Sequence, residues 1–359
     1  MKKILISVTN DLSTDQRVDK VCNTLYKNGF EVCLIGRKLK ESSSLNRKYK
    51  TKRISLVFNK GFLFYAEYNF RLFFVLLFSK KNLLLSNDLD TLLPNYLVSV
   101  LQNKKLVYDS HELFPEIPEL VHKPFAKKCW SNLERWILPK LKHSYTVCES
   151  ITEFYSKKYG SNFKVIMNLP NKKDIELDNF TFETKGKKII LYQGAINIGR
   201  GLEMMIDTMS FLDNCLLVII GYGDIIDELK NKVASKNLIN SIYFLGKISP
   251  EKLHKLTPLA DLGISVEEDL GLNYRFALPN KIFDYIQAEV PILVSNLPEM
   301  KRIVENFNIG ETIKNRAPKE LSNQIKKLLT KSYSEELKEA KEKLIWENQE
   351  EKLLSIFNN

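Results

Sequence analysis

A lysine and an aspartate three residues apart, at the start of one helical pattern, are the first residues in this sequence that could do chemistry together. They lie in Leu278-Pro279-Asn280-Lys281-Ile282-Phe283-Asp284-Tyr285. Pro279 suits the first turn of a helix, where its missing N–H has no helical partner. Ile282, Tyr285 and Ile286 recur at helical spacing, so one face packs inward. Pro291 stops the helix, and Ile292, Leu293 and Val294 read as a parallel strand covered on both faces. A helix N-terminus at the mouth of such a sheet presents free amides and the positive end of its dipole. With the charge of Lys281 added it suits a diphosphate, and the carboxylate of Asp284 one turn on suits a ribose diol. An ordinary amphipathic helix with a solvated lysine and aspartate would read the same, so the choice falls to the rest of the chain.

The 359 residues are enough for two domains, each with its own core. Hydrophobic residues at 44% and charged residues at 27% fit a soluble globular protein, and the net charge of +11 favours anionic partners. The cysteines at 22, 33, 129, 148 and 215 have no paired spacing, and the histidines form no metal motif. The expectation is reduced cytoplasmic thiols, no bound metal and no cofactor. The apolar run at the N-terminus breaks at Thr9-Asn10-Asp11, too early for a signal peptide. The most hydrophobic region, 62–78, is interrupted by Glu67, Asn69 and Arg71, which argues against a spanning helix. It reads either as a helix lying on a membrane surface next to Lys80 and Lys81, or as an internal helix against a sheet.

Strands are expected at 3–8, 31–36, 54–58, 83–86, 106–108, 145–148 and 165–167, with a first helix from about Thr14 to Asn28 closed by Gly29. A second cycle is expected at 188–192, 216–220, 242–245, 262–266 and 292–294. Alternating strands and helices predict an α/β fold of two Rossmann-like doubly wound parallel sheets facing across a cleft, with ligands at the carboxyl ends of the strands. The expected division is a first domain over 1–170, a linker over 171–186, a second domain over 187–333, and a charged helix over 334–359 packing back on the first domain. Thr9-Asn10-Asp11-Leu12 stands where a G-x-G-x-x-G turn would follow the first strand, which disfavours a dinucleotide dehydrogenase, and no P-loop occurs. Gly221-Tyr222-Gly223 is only a two-glycine turn.

Several short motifs, in order, resemble the family-4 glycosyltransferases of the GT-B fold, in the form common in bacterial surface-polysaccharide clusters. They are Lys188 to Ala195 with Gly199-Arg200-Gly201-Leu202, then Ile219-Ile220-Gly221-Tyr222-Gly223-Asp224, Tyr243-Phe244-Leu245-Gly246-Lys247, the stretch around Lys281, and Leu297-Pro298-Glu299-Met300. In the first half Asp15-Gln16-Arg17-Val18 and Asp109-Ser110-His111-Glu112-Leu113 resemble acceptor-side motifs. The resemblance implies retaining, metal-independent transfer of a sugar, such as a hexose, from a nucleotide-diphosphate sugar to a glycan or lipid-linked acceptor. It makes Arg200 and Lys281 the cations that stabilise the leaving diphosphate. Gly194 would let the backbone approach that group, Asp284 would stand where the family's second glutamate binds ribose, and Asn280 would belong to the same donor site. Gly246 and Lys247 would border the base, while His111 would meet the donor sugar or shuttle a proton from the acceptor side. Asn10, Asp15 and Arg17 would shape the acceptor site.

The sequence also departs from the family pattern. Phe276 occupies the position of the family's first glutamate, leaving Glu267, Glu268 or Asn273 as candidates for the sugar contact. Glu289 stands where a glycine usually ends the donor helix. Asp88-Leu89-Asp90 imitates a D-x-D metal motif and reads here as a helix cap with Asp90 in the first turn. Two other readings stay open: a sugar-nucleotide epimerase of the same fold, which would need no acceptor, and a basic nucleic-acid-binding protein. No helix-turn-helix, zinc-finger or RNP pattern supports the latter, so nucleic acid is not an expected partner. Peripheral contact with an anionic membrane on the cytoplasmic face is expected if 62–78 lies at the surface.

Overall fold

The computed structural model of the chain describes residues 1–13, 15–42, 44–117, 120 and 123–358. It divides the chain into one domain of residues 1–168 and 349–359 and a second of residues 169–348.

The first domain is built on a seven-stranded sheet in the order β3-β2-β1-β4-β5-β6-β7. Its strands are β1 (Lys2–Ser7), β2 (Phe30–Lys38), β3 (Lys50–Ser55), β4 (Leu83–Asn87), β5 (Lys105–Ser110), β6 (His143–Thr146) and β7 (Lys164–Val165). Every pairing is parallel. The second domain holds a six-stranded sheet, β10-β9-β8-β11-β12-β13, also parallel throughout. Its strands are β8 (Lys188–Gln193), β9 (Cys215–Ile220), β10 (Ile242–Gly246), β11 (Leu262–Ser265), β12 (Ile292–Val294) and β13 (Gly310–Thr312). Central strands read as unbroken apolar runs because helices cover both faces; all six residues of β9 are buried.

Both sheets reverse direction once. The first strand runs outward through β2 and β3 on one side, and the chain then resumes beside β1 with β4. In the second sheet the reversal falls between β8 and β11. Loops leaving two such strands diverge, and the crevice between them is where ligands of this fold class bind. In the first domain those loops carry Thr9 and Asp88 to Asp90. In the second they carry Gly194 to Gly201 and Val266 to Leu270.

Several sequence expectations shift. The third strand covers 50–55 rather than 54–58, and the sixth 143–146 rather than 145–148. The first helix is Gln16–Lys27, and Thr14 lies outside the described residues. Strand β13 was not anticipated, since its Gly-Glu-Thr carries no apolar pattern. Pro279 takes the N-cap of helix Asn280–Gln287 rather than its first turn. The final segment is two helices, Ser334–Lys343 and Glu350–Asn358, separated by a short 3-10 turn, and they belong to different domains. The second returns to the first sheet, where Thr24 donates to Glu350 at 2.6 Å and Lys105 to the Ile356 carbonyl at 2.7 Å. The stretch 171–186 has no regular element but is not loose: Phe182 stacks on Tyr243 of β10 with centroids 3.9 Å apart.

Region 62–78 is the helix Gly61–Phe78, with one stripe turned into the domain and another turned out. Phe64, Tyr68, Leu72 and Leu76 are buried, while the outer stripe is exposed. Lys81 does not face outward with Lys80. It is buried, with Nζ donating to the Leu76 carbonyl and to Gln102 Oε1, both at 2.5 Å, so it caps the helix C-terminus.

Candidate active site

The second domain assembles a cationic centre between β8 and β11. Helix Asn280–Gln287 is positioned by Tyr285. Its ring lies where a Cβ on Gly263 of β11 would come within 2.4 Å, so only glycine admits the helix so close to the sheet. The Tyr285 hydroxyl lies 3.0 Å from the Leu191 carbonyl and 3.2 Å from that of Ile264, and accepts from the Gln193 amide. This anchorage aims Lys281 at the end of β8. Its Nζ donates to Glu267 Oε1 at 2.9 Å and sits 4.0 Å above the Tyr192 ring.

Glu267 is wholly buried. Burial alone would raise its carboxyl, but the charge and hydrogen bond of Lys281, with a 2.8 Å donation from Ser265, outweigh burial and hold it below the usual range. Arg200 approaches the same Oε1 at 3.7 Å and remains partly exposed, and its buried Nε has no protein partner. Arg316 completes the frame, donating to the Val266 carbonyl at 2.8 Å, the Glu267 carbonyl at 3.3 Å and Ser295 Oγ at 3.1 Å. Two cations thus converge on one carboxylate, with a third, the Arg316 guanidinium, bracing its backbone, so the cluster is net positive.

Gly194 borders this cluster in a φ of +133°, open only to glycine, and is exposed. A Cβ there would stand 3.4 Å from Lys281 Cε. Gly221 is required as well, because its Cβ would fall 1.8 Å from the Gly194 carbonyl oxygen. The Glu268 amide donates to the Gly199 carbonyl at 2.8 Å, tying the two crevice loops together.

Asp284 is half-buried and accepts from Gln193 Nε2 at 2.9 Å, while Gln193 Oε1 accepts from Thr257. Gly246 ends β10 at φ +67°, its carbonyl accepting from the Gly221 amide, and Lys247 beside it is exposed. Asn280 is exposed at the head of its helix, and Asn273 lies in the short helix Leu272–Arg275 before it. Glu289 adopts the left-handed conformation expected of a glycine there, with φ +57°, and its carboxylate pairs with Lys341 at 2.7 Å.

From its place in the sequence Glu267 was a candidate for a direct sugar contact. In the folded chain its carboxylate is engaged instead by Lys281, Ser265 and Arg200. Tyr192, Ser265 and Arg316 were missed. Arg316 follows the unrecognised β13, 49 positions from Glu267 in sequence, and carries no local signal.

In the first domain the equivalent crevice is acidic and histidine-centred. Asp109, at the end of β5, takes two donations from Arg17, at 3.0 Å from Nε and 2.9 Å from NH2. Arg17 also donates to the Ile166 carbonyl and is buried, so it braces β5 rather than presenting an exposed acceptor contact. His111 lies between Asp109, 3.0 Å from Nε2, and Asp88, 3.1 Å from Nδ1. Burial would push the imidazole down, but the two carboxylates outweigh it and raise it well above its ordinary value. Both ring nitrogens are thus engaged by carboxylates, which favour the imidazolium form and hold the ring in place.

Asp88 stands at the N-cap position of the 3-10 turn Leu89–Thr91 with Asp90 in its first turn, as read from the sequence, but its side chain does not cap that turn. It sits at φ +57°, makes no capping bond, and receives His111 through its backbone amide and its ring. Asp90 is buried, with Oδ2 accepting from Thr9 at 2.5 Å and Oδ1 without a protein partner. Burial, then the charge of Asp88, pushes its carboxyl up to about 7. Asp15 caps helix Gln16–Lys27 by accepting from the Val18 amide, and Asn10, exposed, reaches Asp15 at 3.4 Å. Asp109 is held down at about 2; burial opposes this, and Arg17 and His111 prevail.

Comparison with known proteins extends this picture. Residues 174–345 match the family described as glycosyl transferases group 1. Two uncharacterized glycosyltransferases of Methanocaldococcus jannaschii are 24% identical over 182 residues and 26% over 184. Each match covers 48% of this chain and 45% of the relative, so the chain matches a little under half the length of these proteins. Among solved structures, sucrose-phosphate synthase from Thermosynechococcus elongatus is similar at a TM-score of 0.78 and 16% identity, covering 99% of this chain and 98% of that one. HepE of Anabaena, solved with UDP-glucose, is similar at a TM-score of 0.74 and 13% identity over 99% of both chains. WaaG, a glycosyltransferase involved in lipopolysaccharide biosynthesis, is similar at 0.69 and 13%, over 99% of this chain and 100% of that one. These likenesses show the GT-B fold, and with the group 1 domain over residues 174–345 they support a glycosyltransferase.

Proposed function

We propose that the protein transfers a sugar, such as a hexose, from a nucleotide-diphosphate donor to a glycan or lipid-linked acceptor, with retention and without a metal, in cell-surface polysaccharide synthesis at the cytoplasmic side of the membrane. The observation that carries this reading is the pair Arg200 and Lys281, converging on Glu267 beside the exposed backbone of Gly194 at the sheet's reversal. The donor's bond from anomeric carbon to phosphate oxygen breaks, that carbon bonds to an acceptor hydroxyl oxygen, and the hydroxyl proton is released. Negative charge develops on the leaving diphosphate. Preorganised cations and the N-terminus of helix Asn280–Gln287 stabilise it at that moment.

The other donor-side roles follow. Asp284, steadied by Gln193, faces the ribose, Gly246 and Lys247 border the base, and Asn273 and Asn280 lie near the sugar and phosphates. Asn10 lies on the acceptor side, with Asp15 and Arg17 fixing the elements that carry that surface. His111 supplies a fixed positive charge there. The bound UDP-glucose of Anabaena HepE supports the donor class.

A thermal-shift screen against UDP-, GDP-, ADP- and CMP-linked sugars tests the reading, since a ligand that binds only the folded chain raises Tm. At least one nucleotide sugar should raise it in the presence of EDTA. No shift with any would count against the assignment. Once an acceptor is found, NMR of the product's anomeric proton checks retention.

A further inference from the structure

We infer that the first domain docks on an anionic bilayer through one face formed by the helices Gly61–Phe78, Leu92–Leu101 and Pro124–Ile137. This stands apart from the transferase reading, because vesicle binding needs neither donor nor turnover.

Helix Gly61–Phe78 is apolar on two sides. Its inner stripe is buried, and Tyr68 there donates to the Val8 carbonyl. On the outer stripe Phe62, Phe70, Phe74 and Phe78 are 74%, 65%, 41% and 80% exposed. Phe70, Phe74 and Phe78 form a continuous row, with successive centroids 5.0 and 6.2 Å apart. Neighbouring helices extend the patch. Tyr65 meets Trp130 at 5.2 Å and Tyr96 meets Trp136 at 5.7 Å, which ties the three helices together by aromatic contacts, and Leu101, Phe125 and Trp136 on them are exposed. Isolated exposed apolar residues are ordinary, but a contiguous aromatic surface of this kind marks an interaction site.

Charge selects the occupant. Over residues 57–81, 92–104 and 123–142 the acidic residues are Glu67 and Glu134. Glu67 accepts from the Val57 and Phe58 amides and pairs with Arg71, and Glu134 is buried. Lys60, Lys80, Lys123, Lys128, Arg135 and Lys140 are exposed on the same segments. A second copy of this face would set cations against cations, whereas anionic headgroups complement it. Aromatic rings rimmed by lysine and arginine fit the interfacial layer, where the rings enter the acyl boundary and the charges stay among the headgroups. Because the inner stripe is committed to the domain's own core, the helix lies along the surface and does not cross it.

The full chain should sediment with vesicles of phosphatidylcholine containing about one-third phosphatidylglycerol, and less with phosphatidylcholine alone. Raising salt from about 50 to about 500 mM should reduce binding several-fold and leave a persistent fraction. The variant F70S/F74S/F78S should lose the persistent fraction, and K123E/K128E/R135E the salt-sensitive one. Since all three rings are already exposed, the serine variant should keep its circular-dichroism melt. If it does not fold, the wild type carries its own reporter: Trp136 is 46% exposed, Trp130 is partly buried and Trp346 is buried. Vesicles should therefore shift the emission to the blue, and Trp136→Phe should abolish that shift. Absence of sedimentation with anionic vesicles at low salt would overturn the inference. So would a folded serine variant with unchanged binding, or a solution dimer that the serine variant turns into a monomer.

Discussion

The Nζ of Lys281 stands 2.9 Å from Oε1 of Glu267, both side chains are buried, and this ion pair holds the cationic centre in place. Truncating one partner of a buried pair strands the other charge, at a typical cost of about 3–5 kcal/mol. Glu267→Gln should therefore lower stability by roughly that amount in urea unfolding. The double variant Glu267→Gln/Lys281→Met should recover much of the loss yet bind nucleoside diphosphates poorly. Recovery of binding along with stability would show that Lys281 serves only the fold. Because the Glu267 carboxyl is depressed, its contribution is present above the ordinary glutamate pKa of about 4.3 and fades as pH falls toward its folded value.

Arg200 is more exposed than Lys281, and its 3.7 Å approach to Glu267 is looser. Arg200→Ala should keep the wild-type melting curve and weaken binding of a nucleoside diphosphate by roughly ten- to a hundredfold, while the parent nucleoside is little affected. Titration calorimetry with both ligands measures this, and equal losses would remove Arg200 from the phosphate site.

His111 stabilises the first domain as a cation between Asp88 and Asp109. Its folded pKa lies above its unfolded value of about 6.5, so its contribution is complete below that pH and is lost as pH rises through the folded value. The stability gap between wild type and His111→Gln should be widest near pH 6 and narrow steadily in alkaline buffer. A gap that widens with pH would contradict the imidazolium assignment.

Asp90 carries the opposite sign. Its carboxyl is raised to about 7, so the folded state binds the extra proton between about pH 4 and pH 7 and stability falls across that window. Asp90→Asn keeps the acceptor for Thr9 and removes the charge. It should flatten that part of the pH–stability curve and raise stability at pH 8 by on the order of 1–3 kcal/mol. An unchanged curve would show that Asp90 ionises normally.

Activity should survive EDTA. Among the described residues no group of three or more histidine, cysteine, aspartate or glutamate side chains could hold a metal ion. Loss on chelation, restored by manganese or magnesium, would require a metal in the reaction.

The sheets were largely legible in the sequence, because unbroken runs such as Leu216 to Ile220 have few alternatives to a buried parallel strand. Lys281 and Asp284 were legible through helical spacing, and Gly194 and Arg200 only through the resemblance of their loop to the family's glycine loop and basic residue. Short edge strands such as β13 were not, since a three-residue strand need bury little. Arg316 was invisible for the same reason: it reaches Glu267 only once β13 is in place. Arg17 and His111 drew notice through motifs resembling the family's acceptor side, and Asp88 through its D-x-D spacing, but which of them face each other is decided by a register that periodicity does not encode. Spacing likewise cannot show that Glu267 points inward at Lys281, or that Lys81 turns back to cap its helix while Lys80 stays outside.

The proposed role of the cations beside Gly194 is to receive a nucleotide's diphosphate. Its most direct test is calorimetric titration of the wild type and Arg200→Ala with UDP, GDP and ADP, each against its own nucleoside. At least one diphosphate should bind the wild type at least about tenfold more tightly than its nucleoside, and Arg200→Ala should erase most of that preference. If none of the three is preferred over its nucleoside, or the preference survives in Arg200→Ala, the phosphate site lies elsewhere.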